Sequence, residues 1–164
     1  MTVREVDTPE QMHALGIEVA ASLQAGDLVI LSGPLGAGKT ALVRGLGEGL
    51  GVRGPITSPT FVLARTHPSL GAGPSLVHAD AYRLGGAAEL DDLDLDFSGS
   101  VVAVEWGAGL LDGVAESFLT VDIARRTGDE PGAISEQDSL LGDGPEPRTV
   151  TITGIGPRWS HGTP

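Results

Sequence analysis

The segment Gly33–Thr40 has the residue types and the spacing of a phosphate-binding loop. Its sequence, GPLGAGKT, fits the pattern G-x-x-x-x-G-K-[ST] and lies between an apolar run and a segment of helical period. Glycines let backbone N–H groups turn toward phosphate oxygens, and the helix that follows adds the positive end of its dipole. We expect Lys39, the only lysine of the chain, to contact the β- and γ-phosphates and the Thr40 hydroxyl to bind Mg²⁺.

This loop predicts a nucleotide site without specifying the reaction. The predicted nucleotide-binding residues are Gly33, Leu35, Gly36, Ala37, Gly38, Lys39, Thr40, Ala41 and Thr57. Such a loop occurs in ATPases, GTPases and kinases, and also in modules that bind a nucleotide without turning it over. Other residues of the site have to distinguish these classes.

Two acidic residues, Asp80 and Glu105, each follow a run that predicts a strand. Ligands of open α/β sheets bind outside the carboxyl ends of the strands, so both carboxylates are expected to face the same nucleotide. Asp80 is the candidate ligand of Mg²⁺, directly or through a bound water, and the alternative is a solvated acid at a strand end. Glu105 is the candidate that orients the attacking water, and it is also the second candidate carboxylate near the metal. The alternative is a structural capping acid. The predicted catalytic residues are therefore Glu105, Lys39 and Asp80, and the predicted metal ligands are Thr40, Asp80 and Glu105.

Three further features have a structural interpretation that we prefer. His78 shares a strand face with Asp80, but a lone histidine on a strand is more often a hydrogen-bonded packing residue than a catalyst. Trp106 follows Glu105, and an aromatic residue there is more often part of the core than a nucleotide contact. The acidic stretch 89–96 favours an amphipathic surface helix and turn over a docking segment.

The hydrophobic pattern predicts an α/β protein with a P-loop NTPase fold: a central mixed, mostly parallel sheet flanked by helices, with some antiparallel strands. Thr57 to Thr60 are expected to form a switch-like loop beside the γ-phosphate. A single domain is expected over residues 1–164, with a mobile or disordered insert at 126–147 and a flexible tail at 155–164. The predicted elements are helices at Pro9–Gln24, Lys39–Leu50 and Ala87–Leu93, an antiparallel pair of strands at Phe61–Arg65 and Leu76–Asp80, and further strands at Leu28–Leu31, Val101–Val104, Phe118–Ala124 and Thr149–Thr153.

Composition excludes several classes of function. Among 164 residues, 22 acids against 10 bases give a net charge of −12, which argues against a surface that binds nucleic acid directly. The absence of cysteine excludes disulfides, thiolate metal sites and thiol catalysis. No apolar run approaches the length of a membrane span, and the charged N-terminal segment lacks the apolar region of a signal peptide. We expect a soluble, cytoplasmic protein.

Four segments together resemble the TsaE (YjeE) family, bacterial ATPases of tRNA threonylcarbamoyladenosine biosynthesis. The segments are GPLGAGKT with its helix, TSPTFVL at Thr57–Leu63, HADAYRL at His78–Leu84 and VVAVEW at Val101–Trp106. The similarity extends over roughly residues 8–123, and its SPTF and HxDxYR segments are more specific than the phosphate loop. The chain departs from the family pattern at Ala79, where an aromatic residue is usual, and at Ala81, where a larger apolar residue is usual.

The resemblance implies an activity, cofactors and partners. It implies ATP hydrolysis to ADP with Mg²⁺, with Lys39 and Thr40 at the phosphates and metal, Asp80 at the metal, Glu105 in hydrolysis and Thr57 in the switch-like loop. It also implies action with TsaD, which transfers the threonylcarbamoyl group to tRNA adenosine, and with TsaB, so that tRNA is contacted only through the complex. A small-molecule kinase and a nucleotide-dependent interaction module remain the alternatives, and no nucleotide contact is assigned to Arg148 or Arg158.

Overall fold

The computed structural model describes residues 1–57, 64–83, 89, 96–109, 113–125 and 146–164. Its strands are β1 (Thr2–Val6), β2 (Leu28–Ser32), β3 (Ala64–His67), β4 (Ser75–Asp80), β5 (Ser100–Glu105), β6 (Phe118–Arg125) and β7 (Arg148–Ile155). Its helices are α1 (Pro9–Ala20) and α2 (Lys39–Leu50), with short 3₁₀ turns at Ala81–Arg83 and Pro157–Trp159.

All seven strands form one mixed sheet in the order β1-β7-β6-β2-β5-β4-β3. The four central strands are parallel, because β2 pairs in parallel with both β5 and β6, and β5 pairs in parallel with β4. Antiparallel pairs occupy both sides: β1 with β7, β7 with β6, and β3 with β4. The predicted mixed, mostly parallel α/β sheet is confirmed, as is the antiparallel pairing of the two strands that precede Asp80.

Both helices pack on the same face of this sheet. Apolar side chains of α1 and α2, such as Met12 and Leu42, form one buried cluster with Leu31, Val101 and Val121. On the opposite face a smaller cluster includes Ile30, Val77 and Val104. The central strands are thus buried on both sides, which is why their sequences are continuous apolar runs rather than alternating ones.

Helix α1 begins as its sequence predicts and ends earlier. Thr8 is the N-cap, and its hydroxyl accepts a hydrogen bond from the Gln11 backbone N–H at 3.2 Å. The Gln11 side chain accepts a hydrogen bond from the backbone N–H of Asp7, the residue before the N-cap Thr8. The helix was expected to reach Gln24 but ends at Ala20, because the chain tightens there into i to i−3 bonds such as Ser22 N–H to Val19 C=O.

Helix α2 has the predicted bounds, and its glycines are sites of close packing. A Cβ on Gly45 would clash with the backbone of α1 at the carbonyl of His13 and at Gly16. One on Gly47 would overlap Ile56, and one on Gly49 would meet Ala20 at 2.6 Å. Glycine weakens a helix by about 1 kcal/mol per residue relative to alanine, but here it allows α1 and the segment after α2 to approach closely.

Both chain ends carry structure that the sequence did not predict. Strand β1 at Thr2–Val6 was not predicted, because only Val6 of its five residues is buried and its sequence lacks an apolar alternation. The last ten residues were expected to form a flexible tail, but Trp159 is buried in the main core cluster. Arg158 also reaches back to donate hydrogen bonds to the Ser22 carbonyl and to Asp27, at 2.9 and 3.3 Å.

Three predicted features fall where the structure gives no description. The residues outside the described ones are those of the predicted acidic helix Ala87–Leu93 other than Glu89, which is helical, the first residues of the strand Phe61–Arg65, and residues 126–145 of the predicted insert. The strand that follows Thr57 is described only from Ala64 to His67. Trp106 was expected to be a core residue, but it is only half-buried and its ring lies over Lys39.

Candidate active site

The phosphate loop joins β2 to α2 at the carboxyl end of the parallel strands. Gly36 and Gly38 adopt φ angles of 74° and 107°, in the left-handed region that glycine occupies at little cost. At Gly33 a side chain would meet the Ile123 carbonyl at 2.7 Å. These glycines let the loop curl back so that α2 starts at Lys39 with its first N–H groups at the site, where an anion is favoured.

A cavity of about 350 Å³ lies against this loop and is lined by most of the predicted site residues. Its walls include Leu35, Gly36, Ala37, Gly38, Lys39, Thr40, Ala41, Asp80 and Glu105, together with Pro9, Met12, Trp106 and Arg148. Gly33 contributes through its carbonyl, which accepts a hydrogen bond from Lys39 Nζ at 2.7 Å. The structure therefore places the predicted catalytic and metal-binding side chains around one space.

Thr57 lies apart from the other predicted site residues in this structure. It lines a neighbouring cavity with Arg44 and Ile56, and not the one around Lys39. Ile56 is buried in the main core cluster, and its carbonyl accepts a hydrogen bond from Arg44 Nε of α2 at 2.9 Å, which ties this segment to α2. Thr57 is exposed there, and the remaining residues of the expected switch-like loop, 58–60, lie outside the described residues.

Asp80 and Glu105 are directly paired across the sheet. They are the last residues of the parallel neighbours β4 and β5, and their Cα positions are in register. Asp80 Oδ1 accepts a hydrogen bond from the backbone N–H of Tyr82 at 3.0 Å, which caps the 3₁₀ turn after the strand. Glu105 is 5% exposed, and its Oε1 lies 2.8 Å from Nε2 of the fully buried His78. His78 is buried and hydrogen-bonded, as the sequence predicted.

Lys39 is held in place by backbone oxygens and by an aromatic ring. Its Nζ donates to the carbonyls of Gly33 and Pro34, at 2.7 and 3.1 Å, and lies 4.0 Å from the centroid of the Trp106 ring. Burial lowers the pKa of the Lys39 amine below its usual 10.5, although the carboxylates of Glu105 and Asp80 oppose that shift. An amine that has left water and lacks a bonded carboxylate is suited to a multiply charged anion.

Trp106 has a backbone conformation that bulky residues rarely adopt. Its φ is 61°, which costs about 1–2 kcal/mol for a residue with a Cβ. Its backbone N–H donates to the carbonyl of Leu31 at 2.9 Å, and its ring contacts that of Tyr82 at a centroid distance of 5.7 Å. This turn places the indole over Lys39 at the point where β5 ends.

Two arginines at the loop were not predicted. Arg125 and Arg148 are cross-strand partners at the ends of β6 and β7, and they donate to the carbonyls of Leu35 and Gly36 at 3.0 and 3.2 Å. Both also approach Glu146, at 3.9 and 3.3 Å. No local pattern in the sequence marks them, because their position depends on the register between two strands that are distant along the chain.

The donor set around the cavity suits a magnesium nucleotide. A hydroxyl from Thr40 and carboxylates from Asp80 and Glu105 are hard oxygen ligands on one wall. Within the described residues, no cluster of three or more acidic, histidine or cysteine side chains could hold a metal alone. Mg²⁺ in phosphate-transfer sites takes one or two protein oxygens and completes its shell with phosphates and water, so the residues present fit that mode.

The sheet order, the glycine loop and the helix that starts at Lys39 define an α/β protein with the P-loop NTPase fold. A family model described as Threonylcarbamoyl adenosine biosynthesis protein TsaE matches residues 6–132. The chain belongs to this TsaE family, and that membership associates it with tRNA threonylcarbamoyladenosine biosynthesis.

Relatives and a solved structure agree with this membership. The tRNA threonylcarbamoyladenosine biosynthesis protein TsaE of Streptomyces coelicolor is 56% identical over 152 residues, 91% of this chain and 94% of that protein. The protein of the same name from Bacillus subtilis is 34% identical over 154 residues, 92% of this chain and 84% of that protein. The crystal structure of Bacillus subtilis YdiB superposes with a TM-score of 0.68 at 28% identity, covering 96% of this chain and 87% of that one.

Neither α1 nor α2, the two α-helices in the described part of the chain, is long and apolar enough to cross a membrane.

Proposed function

We propose that this protein is a cytoplasmic ATPase that binds Mg-ATP in the cavity beside the phosphate loop and hydrolyses it in support of tRNA threonylcarbamoyladenosine formation, together with TsaD and TsaB. One observation carries the proposal: Lys39, Asp80 and Glu105 line a single cavity at the start of α2. Family membership supports the link to tRNA threonylcarbamoyladenosine formation. The lysine and the two carboxylates support ATP binding and hydrolysis.

Phosphate binding is assigned to the loop backbone and to Lys39. The N–H groups at the start of α2 and the dipole of that helix favour negative charge. The Lys39 amine, which now donates to backbone carbonyls, exchanges those partners for phosphate oxygens, and the phosphate charge raises the pKa that burial lowers. Thr40 and Asp80 are the residues that would hold Mg²⁺, which neutralises charge on the β- and γ-phosphates when bound.

Hydrolysis is assigned to Glu105. Its carboxylate orients a water whose oxygen bonds to the γ-phosphorus while the bond between that phosphorus and the bridging oxygen breaks. The electron pair of the broken bond leaves with ADP, and the water protons end on the phosphate product or in solvent. Glu105 is nearly enclosed, so its interaction with that water is stronger than it would be at a solvated strand end.

The charge of the chain supports work through protein partners. With a net charge of −12, the molecule as a whole repels a nucleic-acid backbone. Arg125 and Arg148 donate to the phosphate loop and approach Glu146, and Arg158 contacts Asp27, so these arginines are engaged within the fold. Recognition of tRNA is accordingly assigned to the partner complex.

Phosphate release tests this proposal. The full chain is incubated with Mg-ATP, alone and with TsaB, TsaD and tRNA, and phosphate is measured over time. We expect ADP and free phosphate in a ratio of one to one, with faster release in the complex. Phosphate transferred to a small acceptor would favour the kinase alternative. Nucleotide binding without release in either condition would favour an interaction module.

A further inference from the structure

His78 and Glu105 form a buried, hydrogen-bonded pair at the wall of the candidate active site. His78 lies on β4, two residues before Asp80, and its Nε2 is 2.8 Å from Oε1 of Glu105 at the end of β5. The histidine ring is 0% exposed, whereas the glutamate lines the nucleotide cavity. His78 therefore has no access to a ligand in the cavity except through Glu105.

The position of the hydrogen follows from the surroundings of the ring. Nδ1 of His78 is buried and has no hydrogen-bond partner in the described part of the chain. An N–H at Nδ1 would be buried without an acceptor, whereas an unprotonated Nδ1 loses only an optional partner. A hydrogen on Nε2 is instead matched by the carboxylate oxygen. The geometry favours a hydrogen on Nε2, which donates to Glu105 Oε1.

His78 lies among apolar residues of β4 and β5, and its cross-strand partner on β3 is the exposed Arg65. The same sheet face carries Leu76, Val101 and Ala103, all fully buried and apolar. A polar ring among them carries a desolvation cost, which its single hydrogen bond offsets. That bond goes to Glu105. We therefore attribute the histidine at position 78 to its effect on the Glu105 carboxylate.

The hydrogen bond also fixes the orientation of the glutamate. A free glutamate side chain samples several rotamers, and fixing it in one of them costs conformational entropy. Without the bond to His78, this cost would arise when the ligand binds. With Oε1 bonded to His78, the other oxygen is the one available to a ligand in the cavity. Preorganised groups of this kind contribute through geometry, and small misplacements reduce rates steeply.

We propose that His78 is a positioning residue for Glu105: its Nε2–H holds Oε1 and thereby directs the second carboxylate oxygen at the attacking water. This inference rests on the proposed ATPase function and adds a residue to it. His78 touches neither nucleotide nor metal in this scheme, so its removal affects turnover and leaves nucleotide affinity in place.

Two substitutions separate positioning from packing. His78→Gln retains an N–H donor at about the place of Nε2, and His78→Leu fills a similar volume with no donor. We expect His78→Leu to lower kcat for phosphate release by about tenfold to a hundredfold, with KM and Mg-ATP affinity within about twofold of wild type. His78→Gln should retain kcat within about threefold. Equal loss of kcat in both variants, or a loss that appears in KM alone, would overturn the proposal.

A double-mutant cycle with Glu105→Gln tests whether His78 acts through the glutamate. In the Glu105→Gln background, His78→Leu should change kcat by less than about twofold, because the carboxylate that His78 positions is gone. The same tenfold loss in that background would show that His78 acts elsewhere. If His78→Leu does not fold, His78→Asn replaces it, since its shorter amide does not reach Glu105. Active Asn and Gln variants alike would contradict the proposal.

The assay also distinguishes this inference from the proposed function. All variants are measured with the wild type under the condition in which the wild type releases phosphate fastest, with or without TsaB and TsaD. A wild-type protein that never releases phosphate overturns both proposals. A wild-type protein that does, beside a fully active His78→Leu variant, overturns only the role of His78.

Discussion

Lys39 and Glu105 have different tasks in the proposed reaction, and the structure separates them physically. Lys39 Nζ bonds to loop carbonyls and lies over the Trp106 ring, so it is placed to bind phosphate. Glu105 bonds to His78 behind the cavity wall, so it is placed to act on water. Binding and hydrolysis should therefore be separable by single substitutions.

Glu105→Gln should leave nucleotide binding intact and slow hydrolysis. The amide has almost the same shape but lacks the negative charge that polarises water, so we expect kcat to fall by about a hundredfold or more, with Mg-ATP affinity within about threefold. Phosphate release and isothermal titration on the same preparation give both values. Glu116→Gln is the matched control, because Glu116 is exposed and lies outside the cavity lining. Wild-type turnover in Glu105→Gln would make this glutamate structural.

At the scale of elements, α2 starts the nucleotide site and depends on α1 for its position. The two helices meet at Gly16 and Gly45, where there is no room for a side chain. Met12 of α1 also lines the cavity, and its methyl group lies 3.3 Å from a Cβ built on Gly38. Helix α1 thus contacts both the middle of α2 and the phosphate loop.

Gly45→Ala is expected to destabilise the fold, although alanine is the better helix former. The added methyl group would clash with the His13 carbonyl, and backbone cannot rotate away as a side chain can. We expect the free energy of unfolding to fall by about 1–3 kcal/mol, measured by urea denaturation. Gly71→Ala is the control, since a Cβ there meets nothing within 4 Å and should change stability by less than about 0.5 kcal/mol. Equal stability of the two variants would contradict the close helix contact.

His67 at the end of β3 should make stability depend on pH. Burial lowers the pKa of its imidazole below the usual 6.5, and a hydrogen bond with the Arg53 backbone opposes the shift only in part. Between the folded and unfolded pKa values the unfolded chain binds more protons, so the free energy of unfolding falls as pH falls through about 6.5 toward the folded pKa.

His67→Gln should remove this contribution and flatten the pH dependence of unfolding below about 6.5. The exposed His161 provides the control, since His161→Gln should reproduce the wild-type slope. Denaturation at a series of pH values gives the slopes. A His67→Gln variant as sensitive to acid as wild type would show that other groups carry the effect.

Much of the fold is predictable from the sequence because its signals are local. The bounds of α2 follow from the glycine loop before it and from Gly51 after it, which caps the helix at a φ of 68°. The strands that end at Asp80 and Glu105 are short apolar runs, and parallel topology brings their ends together. This is why Lys39, Thr40 and both carboxylates could be placed around one site in advance.

The features that sequence did not predict depend on distant contacts. Arg148 reaches the phosphate loop through the register of β6 and β7, and β1 exists because β7 provides its partner. Thr57 was expected beside the phosphates, but it lines a neighbouring cavity with Arg44 and Ile56, which are bonded to each other. A linear pattern does not encode such pairings, since each depends on residues brought together by folding.

A series of side-chain contacts runs from the candidate nucleotide site to an exposed aromatic residue. Lys39 contacts the Trp106 ring, Trp106 contacts Tyr82, and Tyr82 is 75% exposed. If Lys39 moves toward a bound phosphate, it leaves the Trp106 indole, and we propose that this change reaches Tyr82 at the surface. A partner that contacts this surface could distinguish ATP from ADP.

The affinity for TsaD should therefore depend on the bound nucleotide. A ligand shifts a conformational equilibrium only by its differential affinity for the two states, so a non-hydrolysable ATP analogue and ADP should give Kd values for TsaD that differ by about fivefold or more. Tyr82→Ala should reduce that difference. Titration of TsaD into the protein saturated with each nucleotide measures it. Identical Kd values would mean that the surface does not report nucleotide state.

The central claim, that the cavity beside the phosphate loop is the Mg-ATP site, is tested most directly by titrating Mg-ATP into Lys39→Ala. The molecule has a net charge of −12 and a single lysine, so no other amine can take its place at the phosphates. We expect affinity to fall at least about a hundredfold, since charge-assisted bonds to phosphate are lost from a buried site. Arg53→Ala makes the same change in net charge at an exposed residue outside the cavity and should bind as wild type does. Unchanged affinity in a folded Lys39→Ala protein would contradict the account.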